Sequence, residues 1–276
     1  MKTFIKQSFV LFFSVIAISC FGQTGTTDPK HVNVYNEIPK IETGEYIISI
    51  EDVVSTVKYA KFKIIITNKT ADYLLFKGEE CVFTSGDISS KAVEKPVFID
   101  PFSKKSKVIE FEGTENFHVD NFEVSVKGIY KIIVGENVFN APDFQLPPNA
   151  KDFTAGQFSC ALLDTKQETQ STWAKFSCKY NGSKIGFSNP AKCVVKLPDG
   201  KEFATVNLKS KDNIMLSGDE SKFLVEFQIP AKITDMQFTT MNIVWKDSFS
   251  ESTAKPLVTQ KATFKVDAAK TAAKNK

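Results

Sequence analysis

Arginine is absent from this chain of 276 residues, and histidine occurs only at His31 and His118. Arginine is the usual bidentate reader of phosphate, carboxylate and guanine edges. Its absence, with a formal net charge of only +3, argues against nucleic-acid binding. Neither His has a second His, a Cys or a carboxylate at a metal-ligand spacing, so His31 reads as part of the lead-in and His118 as a structural residue on a strand or its edge. No Gly-x-Ser-x-Gly elbow, phosphate loop or dinucleotide fingerprint occurs, and no cofactor is expected. Glu79-Glu80 and Asp219-Glu220 lack the oxygen spacing of a calcium loop, although calcium held between loops stays open. Carboxylates for glycoside hydrolysis need not be close in the chain, so a hydrolase also stays open.

Long apolar runs are missing too. Phe9 to Ile18 is shorter than the roughly 20 residues a membrane span needs and follows Lys2 and Lys6, which predicts a secretory signal over residues 1–22. Two cleavage readings compete. Cys20-Phe21-Gly22 allows a cut before Gln23, giving a free periplasmic or extracellular protein. Alternatively, Ala17-Ile18-Ser19-Cys20 resembles a bacterial lipobox, with Cys20 lipidated and a lipid anchor as the sole membrane contact.

What is present is β pattern, and it recurs. Gly44-Glu45-Tyr46 returns as Gly156-Gln157-Phe158, Tyr59-Ala60-Lys61-Phe62 as Trp173-Ala174-Lys175-Phe176, and Ile109-Glu110-Phe111 as Val225-Glu226-Phe227. Phe122 returns as Phe238 and Tyr130 as Trp245 on the same reading. The recurrence predicts an all-β protein of two tandem antiparallel β-sandwich domains from an internal duplication. Alternation such as Phe62, Ile64 and Ile66 against Lys61 and Lys63 is that of half-buried antiparallel strands. A small closed barrel is the alternative fold.

The expected boundaries are a flexible lead-in at 23–39, repeats at 40–140 and 151–266, a stiff Pro-rich spacer at 141–150, and a disordered tail at 267–276. Asn181-Gly182 reads as a hairpin turn and Pro198-Asp199-Gly200 as another tight turn. Of the cysteines, Cys81 and Cys193 match between repeats and read as small buried residues. Cys160 and Cys178 stand where the first repeat has Ile48 and Ile64, which makes them the disulfide candidate. Cys178–Cys193 is the runner-up, and four free thiols the bland alternative.

Segments that differ between the repeats are the candidate contacts. These are Ser85, Asp87, Ser89 and Ser90 in one polar excursion, and Asp247 and Glu251 after Trp245. Both segments also read as ordinary solvated loops. The pattern over residues 40 to 266 resembles tandem immunoglobulin-like modules of bacterial envelope proteins. That resemblance implies an exported, non-catalytic protein that contacts envelope proteins through loops or edge strands. Glycan binding is the second reading, testable by the exposure of Trp173 and Trp245. A hydrolase with its site at the domain junction is the third.

Overall fold

The computed structural model describes residues 28–276. The signal segment 1–22 and Cys20 lie outside them. Strands dominate, in one five-stranded and five four-stranded antiparallel sheets. Among the described residues no helix is long and apolar enough to cross a membrane.

Each half of the chain is built around a long hairpin. In the first half, Tyr46–Ser55 pairs with Tyr59–Asn68, which pairs with Lys104–Glu112. Tyr46, Ile48, Ile50, Phe62, Ile64, Ile66, Ile109 and Phe111 alternate inward and are nearly water-free. Burying each such side chain contributes roughly 1.5–3 kcal/mol, while the intervening Lys and Glu stay hydrated. In the second half, Phe158–Gln167, Ser171–Tyr180 and Glu220–Gln228 repeat the arrangement around Phe158, Phe176, Val225 and Phe227.

The strand order of the other sheets also matches, and it shows an exchange. The last two strands of the chain, Lys255–Pro256 and Gln260–Lys265, pair with Ile129–Ile132 and Asn121–Val126 of the first half. Conversely, Asn137–Phe139 and Phe144–Leu146 cross forward to pair with Phe249–Ser252 and Met241–Val244 of the second. Ala262 and Phe264 thus complete the first core, and Phe144 and Leu146 the second. The two crossings are clamped together: the Glu136 carboxylate accepts from the Thr253 N–H at 2.8 Å and pairs with Lys255 at 2.9 Å.

This exchange corrects several expectations. The segment 141–150 is not a spacer between separate bodies, because Phe144–Leu146 is a sheet strand. It lies at a sheet edge, where flanking prolines without an N–H are tolerated. The tail 267–276 is not frayed. Asp267 caps helix Ala268–Lys274 by accepting from the Lys270 N–H, and Thr271 of that helix exchanges hydrogen bonds with Val34. The lead-in is likewise held from Asn33 onward, with Tyr35 only 2% exposed. Asn181-Gly182 does not close a hairpin: it carries the chain from Ser171–Tyr180 into Ile185–Ser188 of a different sheet. Pro198-Asp199-Gly200 does turn a hairpin, between Val194–Lys196 and Glu202–Ala204.

Ladder register also moves the internal matches. Ile48 lies opposite Ile66 as Cys160 lies opposite Cys178, so Cys178 corresponds to Ile66 rather than Ile64. Turns Thr56–Tyr59 and Glu168–Ser171 then coincide, each closed by the same backbone hydrogen bond, and Tyr59 matches Ser171 rather than Trp173. The Ala-Lys-Phe likeness is a slip of two residues, which preserves the buried face. Phe122 matches Met241, not the 80% exposed Phe238, and Tyr130 matches Ser250, not Trp245.

Candidate functional site

The two bodies meet in a small apolar cluster of Tyr73, Leu75, Ile132, Ile185 and Phe187. Its rim is polar. Tyr73 donates to Asp212 at 3.3 Å, Asn189 donates to the same carboxylate at 2.8 Å, and Lys211 pairs with Asp100 at 2.9 Å. Beside this cluster a cleft of about 520 Å³ opens between the halves, lined by Lys77, Glu79, Tyr130, Ser183, Lys184 and Ser217 among others. Gly78–Glu80 forms a single tight turn at the cleft. Tyr130 donates to Glu80 at 2.8 Å, and Lys77 lies 4.9 Å from the centre of the Tyr130 ring. Burial, then the neighbouring Glu80 carboxylate, pushes the Tyr130 hydroxyl up to about 12. It therefore stays a neutral donor at physiological pH. Glu80 is committed to Tyr130 and lies 3.8 Å from Lys77, whereas one Glu79 oxygen is buried without a hydrogen-bond partner.

Cys160 and Cys178 are directly opposite across the hairpin ladder, and a disulfide joins them with Cα atoms 4.0 Å apart. Cys81 and Cys193 are buried free thiols. Burial pushes each up to about 12, so neither supplies a thiolate near neutrality.

The contact candidates do not converge. Ser85, Asp87, Ser89 and Ser90 belong to the hairpin Val82–Ser85/Ile88–Lys91, turned at Gly86 in the left-handed region (φ 55°). That hairpin does have a counterpart, Val194–Lys196/Glu202–Ala204, contrary to the sequence reading. Asp247 is exposed in a turn. Glu251 is not a loop residue: it sits 8% exposed on strand Phe249–Ser252. There it accepts from Tyr180 at 3.1 Å and Asn137 at 3.3 Å and pairs with Lys184 at 3.0 Å. Burial raises its carboxyl, but these donors outweigh it and hold the group below the usual range. Trp245 is 5% exposed and stacks on Phe153 at 5.0 Å, so it offers no flat platform to a sugar. Trp173 is half-buried.

The chain brings its two histidines together, which spacing in the sequence did not show. His31 Nδ1 lies 2.8 Å from His118 Nε2, joining the lead-in to the loop before Asn121–Val126. Burial and then the facing His31 lower the His118 pKa. A histidine depressed in the folded state stays neutral where the unfolded one charges. Its stabilisation is therefore complete above the ordinary value near 6.5 and is lost as pH falls through the lower folded value. Once the intrinsic exchange rate, which itself slows as pH falls, is divided out, the protection of the amides at 30–36 is expected to decrease as pH drops from 7 to 5. The His118→Gln variant should remove that decrease.

No protein-family model matches the chain, and no curated protein matches it.

Proposed function

We propose that the chain is an exported, non-catalytic binding or scaffold protein of the bacterial cell envelope. Its frame is two immunoglobulin-like sandwiches that arose by internal duplication. The matching strand orders and the shared register of the two long hairpins support the duplication. The observation that carries the functional reading is the strand exchange. Each body is completed by strands from the other half, which ties the two together in a way suited to presenting surfaces side by side. Such a body presents loops and sheet edges to a protein partner. The hairpin carrying Ser85, Asp87, Ser89 and Ser90, and the turn at Asp247, are then peripheral contacts.

The test is a cross-linking pull-down of the tagged mature protein from its native envelope, read by mass spectrometry. A reproducible stoichiometric protein partner is expected. Recovery of the protein alone would overturn the scaffold reading.

A further inference from the structure

The two halves use one matching sheet edge differently. In the first half, strand Tyr46–Ser55 bends at a bulge between Glu51 and Val54, and its end takes on another strand. Asn33 pairs with Ser55, Val34 pairs with Val54, and the Tyr35 N–H donates to the Val53 carbonyl at 3.1 Å. Tyr35 then packs on Phe122 at 4.7 Å, and its hydroxyl reaches Ser55 Oγ at 2.7 Å and the Val119 carbonyl at 2.6 Å.

In the second half, strand Phe158–Gln167 bends at Leu162/Asp164, and Thr165, Lys166 and Gln167 stand where Val53, Val54 and Ser55 do. Among the described residues no strand pairs with the outer side of these three. Asp152–Ala155 covers only Phe158–Ala161, with the Leu162 N–H donating to the Lys151 carbonyl. The cause lies in the chain path. Strand Phe144–Leu146 runs through Pro147-Pro148 directly into Asp152–Ala155, leaving no segment to play the part of Asn33–Tyr35.

Three further observations mark this edge. Val53 and Ser55 are 5% and 0% exposed, while Thr165 and Gln167 are half-buried and Lys166 is exposed. Thr172, across the ladder from Gln167, is fully buried and its hydroxyl has no partner. Gln167, the counterpart of Ser55, instead sends its Nε2 to the Met236 carbonyl at 3.0 Å, a contact an incoming side chain would have to displace. Finally, exposed apolar side chains mark both ends of the slot. Leu163 sits in the bulge. Phe238 follows Met236, whose N–H bonds Thr169, as Val119 follows Phe117, whose N–H bonds Val57. Phe238 is thus the sequence counterpart of Val119, whose carbonyl accepts from the Tyr35 hydroxyl, and it lies in a turn closed by its N–H on the Asp235 carbonyl.

We propose that Thr165–Gln167 is a docking edge for an extended segment of a partner polypeptide, bearing an aromatic residue in the place of Tyr35. Strand addition supplies backbone hydrogen bonds, and the aromatic residue supplies register. The partner is a different chain, because this chain's own matching segment is already consumed in its first half. The Thr165 N–H is meanwhile held by Asp164 Oδ1 at 2.8 Å, a bond the incoming carbonyl would replace. The proposal rests on the binding reading above, and its test separates the two.

The probe is a synthetic peptide of residues 30–38, the strand that fills the equivalent edge. The full mature chain carries a photo-cross-linking residue at Leu163, with Lys232 as the control position. Saturable cross-linking at Leu163 is expected. It should fall at least tenfold with Thr165→Pro, with Phe238→Ser, or when the peptide tyrosine is replaced by alanine. Unchanged Trp emission and a protected Cys193 would show that the variants remain folded. Labelling no greater at Leu163 than at Lys232, or indifferent to both variants, would overturn the proposal. A partner recovered in the pull-down but bound equally by Thr165→Pro would also overturn it while leaving the scaffold reading intact. Absence of any partner would sink the scaffold reading, with the peptide result still deciding the edge.

Discussion

Replacing Phe264 by alanine is expected to unfold the wrong end of the molecule first. Phe264 lies in the last strand of the chain, yet its ring packs on Phe62 at 6.3 Å and Phe122 at 5.0 Å in the first core and is 1% exposed. Truncating a buried Phe costs about 3–5 kcal/mol, as lost transfer energy plus the cavity left behind. The loss should fall on the N-terminal body. Cys81 reports that body and Cys193 the other, because each is a buried free thiol in its own core. Both Trp residues belong to the second body. In Phe264→Ala, Cys81 should therefore become reactive at a denaturant concentration where Cys193 stays protected and Trp emission remains native. Reaction of Cys193 before Cys81 would mean that the last strand serves its own half.

The second large effect is expected at the disulfide. Cys160 and Cys178 close a short loop, 18 residues apart in sequence. Chain-entropy arguments give such a closure about 3 kcal/mol, with the mechanism model-dependent. The paired Cys160→Ala, Cys178→Ala variant should lower the melting of the second body, followed by Trp emission, by about 12 °C. The first body has Ile48 and Ile66 at these places and should be unaffected by reductant. An equal fall in both bodies under reductant, with Cys81 exposed as early as Cys193, would contradict the assignment.

Much of the local structure was legible. Period-two alternation located the long strands, because a half-buried strand must place every second residue in the core. The disulfide pair was legible because both residues fall on inward positions of adjacent strands. The exchange was not, because strand pattern fixes which face is buried but not which sheet receives the strand. Phe144–Leu146, between prolines, carries too few residues to show alternation, and its edge position removes the usual conflict with proline. The slip at Ala-Lys-Phe has a similar origin: a shift of two residues preserves the inward face, so hydrophobic pattern cannot detect it. The open edge at Thr165–Gln167 was hidden for another reason. It is defined by a strand that one half has and the other lacks, and that comparison needs the correct register. Pairing of His31 with His118 required knowing that the lead-in folds back along the first body.

The most direct measurement asks which half holds the last strand. Glu123 lies opposite Thr263 on the outer face, and Asn242 is its counterpart in the second half. Two double variants would be made, Glu123→Cys with Thr263→Cys and Asn242→Cys with Thr263→Cys, and oxidised at low protein concentration. The exchanged fold predicts an intramolecular disulfide in the first and none in the second. A disulfide only between positions 242 and 263 would contradict it and restore two self-contained tandem domains.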